Sequence, residues 1–168
     1  MNKHLIPKAE LAALLEDAKK SDDAKTKLWF EISDRILRDW NGVSYKFLDK
    51  LTTGQSAVVA CAEFHRGAAY DFLTSICESE IPARTLRACE LIGAGEYVDL
   101  LRQIESVFPG RKFPEYAEDV LVALRKQPNG YFDTAADKFV TGRTMKQPLR
   151  DYIFAYITAH PEDFSTAS

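Results

Sequence analysis

Four side chains in this sequence have types and spacing that suit metal or thiol chemistry. Cys61 and His65 are four residues apart in a helical pattern, so both would lie on one face of a helix. A thiol beside an imidazole base can act as a nucleophile. Together with Cys77 and Cys89, the pair would supply the four ligands of a Cys3His zinc site. One hypothesis is therefore a small metal- or thiol-dependent enzyme built around Cys61 and His65.

The sequence around these residues favours a structural role for them. The cysteines stand among apolar residues, and no two of them form a CxxC pair. A buried free cysteine behaves as a small apolar residue. The chain also contains no GxxxxGKS/T, GxGxxG or HExxH motif, so the sequence offers no phosphate cradle, dinucleotide fingerprint or helical zinc site. We therefore predict that the protein is not an enzyme and needs no cofactor or metal.

Length and composition predict one cytoplasmic domain. Three cysteines without close spacing do not make a disulfide framework. The first residues, MNKHLIPKAE, lack the apolar segment of a signal peptide, and no run approaches the roughly 18 apolar residues of a membrane span. A chain of 168 residues is long enough to bury a sizeable core. We expect a single helical domain over residues 1–168.

Charge is unevenly distributed along the chain. Residues 63–119 hold eleven acidic and six basic residues, a net charge of −5, whereas the segments before and after each carry +1. Such an asymmetry can mark a surface that contacts a partner. The basic residues are scattered, which argues against direct binding of nucleic acid. The candidate partner-binding acids of this block are Glu78, Glu80, Glu90, Glu96, Asp99, Glu105, Glu115, Glu118 and Asp119.

Aromatic side chains occur within the acidic block and just beyond it. Tyrosine joins a large apolar ring to a polar hydroxyl, and it is therefore suited to protein interfaces. We expect most of these rings to lie in the core. Tyr70 and Tyr116 are selected as candidate contact residues, because an exposed ring beside acids would make a surface for docking another protein.

The elements that must position these residues are short helices. Apolar residues recur at spacings of three and four from end to end, and no alternating strand or hairpin turn is apparent. Glycine and proline interrupt this pattern often, so we predict an all-α fold, an irregular compact domain of about eight to nine short helices. Among the expected helix starts and ends are Ser21, Thr52, Pro148, Asn41-Gly42 and Gly93.

Two predicted helices hold or border the candidate tyrosines. A helix that opens at Thr52 is expected to break or kink at Gly67, before a short aromatic-rich helix over residues 68–76. A later helix is expected to begin at Pro114, because proline suits a first helical position. Its inward-facing residues would be Ala117, Val120, Leu121 and Leu124.

The segment from about residue 54 to residue 124 resembles the bacterial DNA-mimic protein family of the DMP type. The resemblance covers somewhat under half of the chain, and Arg66-Gly67-Ala68-Ala69 stands where the family usually has Asn-Gly-Gly-Phe. It implies an all-helical, often dimeric protein whose surface carboxylates stand in for DNA phosphates and occupy a DNA-binding protein. The matching residues are Gly67-Ala68-Ala69-Tyr70-Asp71-Phe72-Leu73, Glu90-Leu91-Ile92-Gly93-Ala94 and Phe108-Pro109-Gly110.

Residues and resemblance together predict a non-enzymatic, protein-binding and inhibitory domain. Its partner would be a protein with a basic surface. If the domain is a DNA mimic, the domain would bind that surface through the acids of residues 63–119. An alternative is an immunity or antitoxin-like protein that neutralises a toxin. The sequence does not separate these two, because both need only complementary charge and shape. We expect Glu96 and Asp99 to steer association with the partner.

Overall fold

The computed structural model describes residues 5–38, 45–77 and 80–166. Within these ranges the only extended pairing is an isolated bridge between Ile6 and Ser165, so the all-α prediction is confirmed. The α-helices are α1 (Lys8–Ala18), α2 (Asp22–Leu37), α3 (Thr53–Ile76), α4 (Ile81–Leu91), α5 (Gly95–Ser106), α6 (Ala117–Lys126), α7 (Tyr131–Thr141) and α8 (Leu149–Ala159). Short 3-10 helices cover Tyr45–Lys50, Pro109–Arg111 and Pro161–Asp163.

The helix boundaries follow from local chemistry that the sequence already shows. Ser21 accepts a hydrogen bond from the backbone N of Ala24 at 3.1 Å, and Thr52 forms a capping box with Gln55 at the start of α3. After α4, Gly93 has a φ of +74°, which favours glycine. The predicted end at residues 41–42 lies outside the described residues. Of the helices described, none combines the length and apolar character needed to cross a membrane.

Helix α3 lies at the centre of the fold, where it packs against α2, α4 and α7. Phe64 of α3 is fully buried, and its ring centroid is 4.9 Å from that of Phe139 in α7. On the α2 side, the Trp29 Nε1 donates a hydrogen bond to the Val58 carbonyl at 3.0 Å. The described helices share one hydrophobic core, and α3 contributes to it along most of its length.

The two ends of the described chain meet beside the start of α3. The backbone N of Ile6 donates to the Phe164 carbonyl at 2.8 Å, and that of Thr166 donates to the Ile6 carbonyl at 2.9 Å. The buried Gln55 side chain donates from Nε2 to the Asp163 carbonyl at 2.7 Å. These bonds satisfy backbone groups that would otherwise lie at a frayed end.

The predicted break at Gly67 is wrong in position. Gly67 is helical, and the one non-helical residue within α3 is Asp71, with φ −151° and ψ 98°. The Asp71 carboxylate accepts a hydrogen bond from the Thr74 backbone N at 3.2 Å, as a helix cap does. A Cβ at Gly67 would lie 2.4 Å from the Ser75 Oγ, so this glycine serves a close approach between the two halves of α3.

The predictions for α6 need two corrections. The helix begins at Ala117, three residues after Pro114. Val120 is buried as expected, but Leu121 is 55% exposed and Ala117 is exposed as well. Neighbouring residues on an α-helix point about 100° apart, so the apolar run of residues 120–122 cannot all face one core. This part of the chain therefore places large apolar side chains on the surface.

Candidate partner-binding surface

The candidate acids Glu80 and Glu90 are already paired with basic side chains. Glu80 Oε2 lies 3.5 Å from Arg84 Nη2, one helical turn away. Glu90 of α4 is hydrogen-bonded to Arg102 of α5, which links the two neighbouring helices. Each of these carboxylates is partly neutralised within the chain, and so contributes less to an acidic contact surface. Glu78, another candidate, lies outside the described residues.

The Glu96 carboxylate binds a loop elsewhere in the same chain. It is half-buried in the first turn of α5, and its Oε2 accepts a hydrogen bond from the Lys146 backbone N at 2.8 Å. The Lys146 Nζ lies 3.9 Å from Oε1 of the same carboxylate. Glu96 therefore fixes the loop that precedes α8, and it is a poor choice for testing a partner contact. Asp99, its predicted companion, is exposed.

The remaining candidate acids keep their charge free of internal pairing. Within the described part of the chain, their carboxylates have no ion pair or hydrogen bond. Two of the five lie in the first turn of α6, where the positive end of the helix also favours acidic residues. These acids are available to meet a basic partner. They are Asp99, Glu105, Glu115, Glu118 and Asp119.

Large apolar side chains stand among these acids on α6. Tyr116 is 68% exposed, Leu121 55% and Val122 42%, and they are three of the five large apolar residues that the described chain exposes. Such exposed apolar groups, when grouped, mark sites of protein contact. We use the term α6 surface for the group formed by Glu115, Tyr116, Glu118, Asp119, Leu121 and Val122. It combines unpaired negative charge with apolar area that a partner can bury.

The sequence interpretation did not find Leu121 and Val122 as surface residues. A signal was present, since three consecutive apolar residues from Val120 to Val122 exceed what one inward face of a helix can hold. Tyr116, which its residue type and its position in the acidic block predict as a contact residue, is exposed.

Tyr70 lies apart from the α6 surface. It is 95% exposed and sits beside the break in α3. The neighbouring groove encloses about 460 Å³ and is lined by Asp71, Phe132 and Asp133 among others, with no residue from α6. The structure therefore does not bring Tyr70 into the α6 surface.

The thiol and metal hypotheses gain no support from the geometry. The Cys61 and Cys89 side chains are both buried, and the interaction with the Cys89 thiol, followed by burial, raises the pKa of the Cys61 thiol well above its usual value. A protonated thiol is a poor nucleophile. Cys77 instead donates its Sγ hydrogen to the Leu73 carbonyl, at 3.3 Å. Over the described ranges, no group of three or more His, Cys, Asp or Glu residues is arranged to hold a metal ion.

His65 belongs to the packing between α3, α2 and α7. Its ring centroid is 5.1 Å from that of Trp29, and its Nε2 lies 3.1 Å from the Val140 carbonyl oxygen, to which the neutral ring donates. Burial lowers the pKa of His65, and the charges of Arg66 and Arg150 lower it further. The imidazole is therefore a neutral, structural hydrogen-bond donor at pH 7.

We expect this histidine to make the protein less stable in mild acid. Because its pKa is lower in the folded state, the unfolded chain binds more protons as the pH falls below about 6.5, and unfolding becomes more favourable. The stability that depends on neutral His65 is present above that pH and is lost as the pH falls through the folded pKa. Urea unfolding at about pH 7.5 and about pH 5.5 measures this loss.

The variant that tests this assignment is His65→Phe. His65→Phe keeps an aromatic ring against Trp29 but cannot titrate, so its stability should change less between the two pH values than that of the wild type. An equal fall in stability for the wild type and His65→Phe would contradict this assignment.

Comparison of the chain with protein-family models, with curated proteins and with solved structures finds no match in any of the three. The likeness to the DNA-mimic family therefore stays a prediction.

Proposed function

We propose that this protein is a non-enzymatic, protein-binding inhibitor that occupies the basic surface of a DNA-binding protein, as a DNA mimic does. One observation carries the proposal: on the α6 surface, acids without internal partners stand beside exposed apolar side chains. Unpaired carboxylates keep their charge available for a basic partner. The apolar groups supply area that becomes buried when the partner binds.

The two kinds of side chain have different tasks in this proposal. Glu115, Glu118 and Asp119 act as substitutes for DNA phosphates and attract the basic partner over distances of about a Debye length. Charges of this kind mainly raise the association rate. Tyr116 and Leu121 then pack against the partner, and their burial mainly slows dissociation.

We expect neutralisation of the α6 acids to weaken partner binding. The variant carries Glu115→Gln, Glu118→Gln and Asp119→Asn, which keep the shape of each side chain and remove its charge. An exposed charge pair contributes about 0.5 kcal/mol, so the loss of three should weaken binding about tenfold at low salt. The natural partner is recovered on the immobilised protein and identified by mass spectrometry. Its association rate and affinity are then measured by surface plasmon resonance over a range of salt concentrations.

The control variant is Glu16→Gln. This residue is an exposed acid on α1, outside the acidic block, and its replacement should leave partner binding unchanged. The wild-type affinity should also fall steeply with salt, and a duplex bound by the partner should compete with the protein. Affinity that is independent of salt and equal in the wild type and the triple variant would show that the α6 acids are only a solvated helix face.

The exposed apolar residues favour a second candidate, in which the partner is a toxin. Leu121 and Val122 need an apolar complement on the partner, which a toxin can also offer. In this case duplex DNA should not compete, and the protein should block the activity of the recovered toxin. Leu121→Ser with Val122→Ser should then weaken binding more than the neutralisation of the three acids does.

A further inference from the structure

A pocket outside the α6 surface has the features of a small-molecule site. It lies between the 3-10 helix Tyr45–Lys50, the first turns of α3 and helix α4, and it encloses about 290 Å³. This volume is near the lower end of ligand-binding pockets. No residue of α5 or α6 lines it. Its occupant would therefore be unrelated to the proposed protein contact.

Half of the ten residues that line the pocket are apolar. Leu48, Ala57 and Ala88 are buried and form the inner wall, and Leu51 is half-buried beside them. Leu91 lines the same pocket, yet 43% of it remains exposed. A ligand with an apolar body would cover this leucine and remove its surface from water.

Two arginines bring positive charge to the pocket lining. The Arg84 Nη1 is bound to Asp49 Oδ1 at 2.8 Å, and only 15% of the Arg84 side chain is exposed, so this guanidinium is held in place. Arg87 follows one turn later on α4, lines the pocket and is exposed. Among the described residues, no carboxylate pairs with Arg87, which leaves its charge available.

Two hydroxyl groups also line the pocket. Thr53 and Ser56 lie in the first turn of α3 and line the pocket. Neither hydroxyl has a hydrogen bond to another described residue, so both can donate to a ligand. The hydrogen bond with Arg84 lowers the pKa of the nearby Asp49, and the charge of Arg87 contributes to the same effect. Asp49 itself also lines the pocket, so the lining carries two arginines and one carboxylate, which leaves a net positive charge.

We propose that this pocket binds a small organic anion. Its carboxylate or phosphate group would bind Arg87 and the two hydroxyls, while a short apolar body would lie against Leu48 and Leu91. Arg84, which Asp49 already neutralises, positions the wall of the site and is not the main contact for the anion.

The test adds three chemically related small molecules to the full chain, one at a time. Phenyl phosphate carries both parts of the proposed ligand, inorganic phosphate carries the anion alone, and phenol carries the apolar body alone. Each is titrated in two-dimensional ¹H–¹⁵N NMR spectra of the labelled protein. We expect phenyl phosphate to give saturable shifts at the backbone amides of residues 53–56 and 87–91. The other two probes should bind more weakly at the same place.

Two Arg→Gln variants test whether phenyl phosphate binds in this pocket. Arg87→Gln removes the free positive charge and should weaken phenyl phosphate binding about tenfold, as expected for a hydrogen bond to a charged group. Arg125→Gln replaces an exposed arginine on α6 and should leave binding unchanged. Arg87 is exposed, so its replacement should leave the dispersion of the spectrum as in the wild type.

Three results would overturn the proposal. The first is an absence of saturable shifts around the pocket. The second is equal binding by the wild type and Arg87→Gln. The third is equal binding of inorganic phosphate and phenyl phosphate, which would show an adventitious ion only and no role for the apolar wall.

Discussion

Phe64→Ala is expected to lower the free energy of unfolding by about 3–5 kcal/mol, the usual cost of deleting a buried ring. Phe64 has no exposed surface, and its ring packs edge-on against Phe139 at 4.9 Å and lies 5.9 Å from Phe72. Its removal would leave a cavity where α3 meets α7 and would also remove the ring contacts. Urea unfolding followed by far-ultraviolet circular dichroism measures the change.

Tyr70→Ala is the matched control for this substitution. It deletes a ring of similar size from the same helix, but the side chain is 95% exposed. Its effect on the free energy of unfolding should stay within about 0.5 kcal/mol, as is usual for surface positions. Similar losses for the two variants would contradict the burial of Phe64 between α3 and α7.

Gly142→Ala is expected to destabilise the protein for two separate reasons. The residue has a φ of +69°, which costs an L-amino acid about 1–2 kcal/mol. Its new Cβ would also lie 2.7 Å from the Cα of Pro148, a backbone atom that cannot move aside freely. Overlap of this kind costs a further ~1–3 kcal/mol. Thermal and urea unfolding of the variant measure the sum.

Gly130→Ala separates the two contributions. Gly130 has a similar φ of +78°, and nothing lies within 4 Å of the position its Cβ would take. It should therefore show the cost of the left-handed backbone alone. If Gly142→Ala were no more destabilising than Gly130→Ala, the close approach of the residue 142 turn to Pro148 would be disproved.

Local chemistry was sufficient to predict the helical class and several helix ends. Ser21 and Thr52 cap helices because a side-chain oxygen near a first turn accepts from free backbone N–H groups, whatever the rest of the chain does. Gly93 ends a helix because its positive φ is readily available to glycine. Such effects depend on a few adjacent residues, and the sequence contains all of them.

The thiol hypothesis shows where spacing alone misleads. Cys61 and His65 share a spacing of four, but a full turn of helix separates them along its axis. Cys61 contacts Cys89, which α4 contributes, whereas His65 contacts Trp29 and the Val140 carbonyl, which come from α2 and α7. Because three different helices surround α3, only the packing determines what each of its side chains meets.

The tertiary structure also decided which charges and apolar groups remain free. Glu96 is paired with Lys146, fifty residues away, and Glu90 with Arg102 of another helix. Leu121 is exposed because Val120 and Ala123 occupy the inward side of α6. The sequence determined a helical protein with an acidic middle segment. Pairing and burial depend on contacts between distant parts of the chain, so only the fold decided which acids and apolar residues can face a partner.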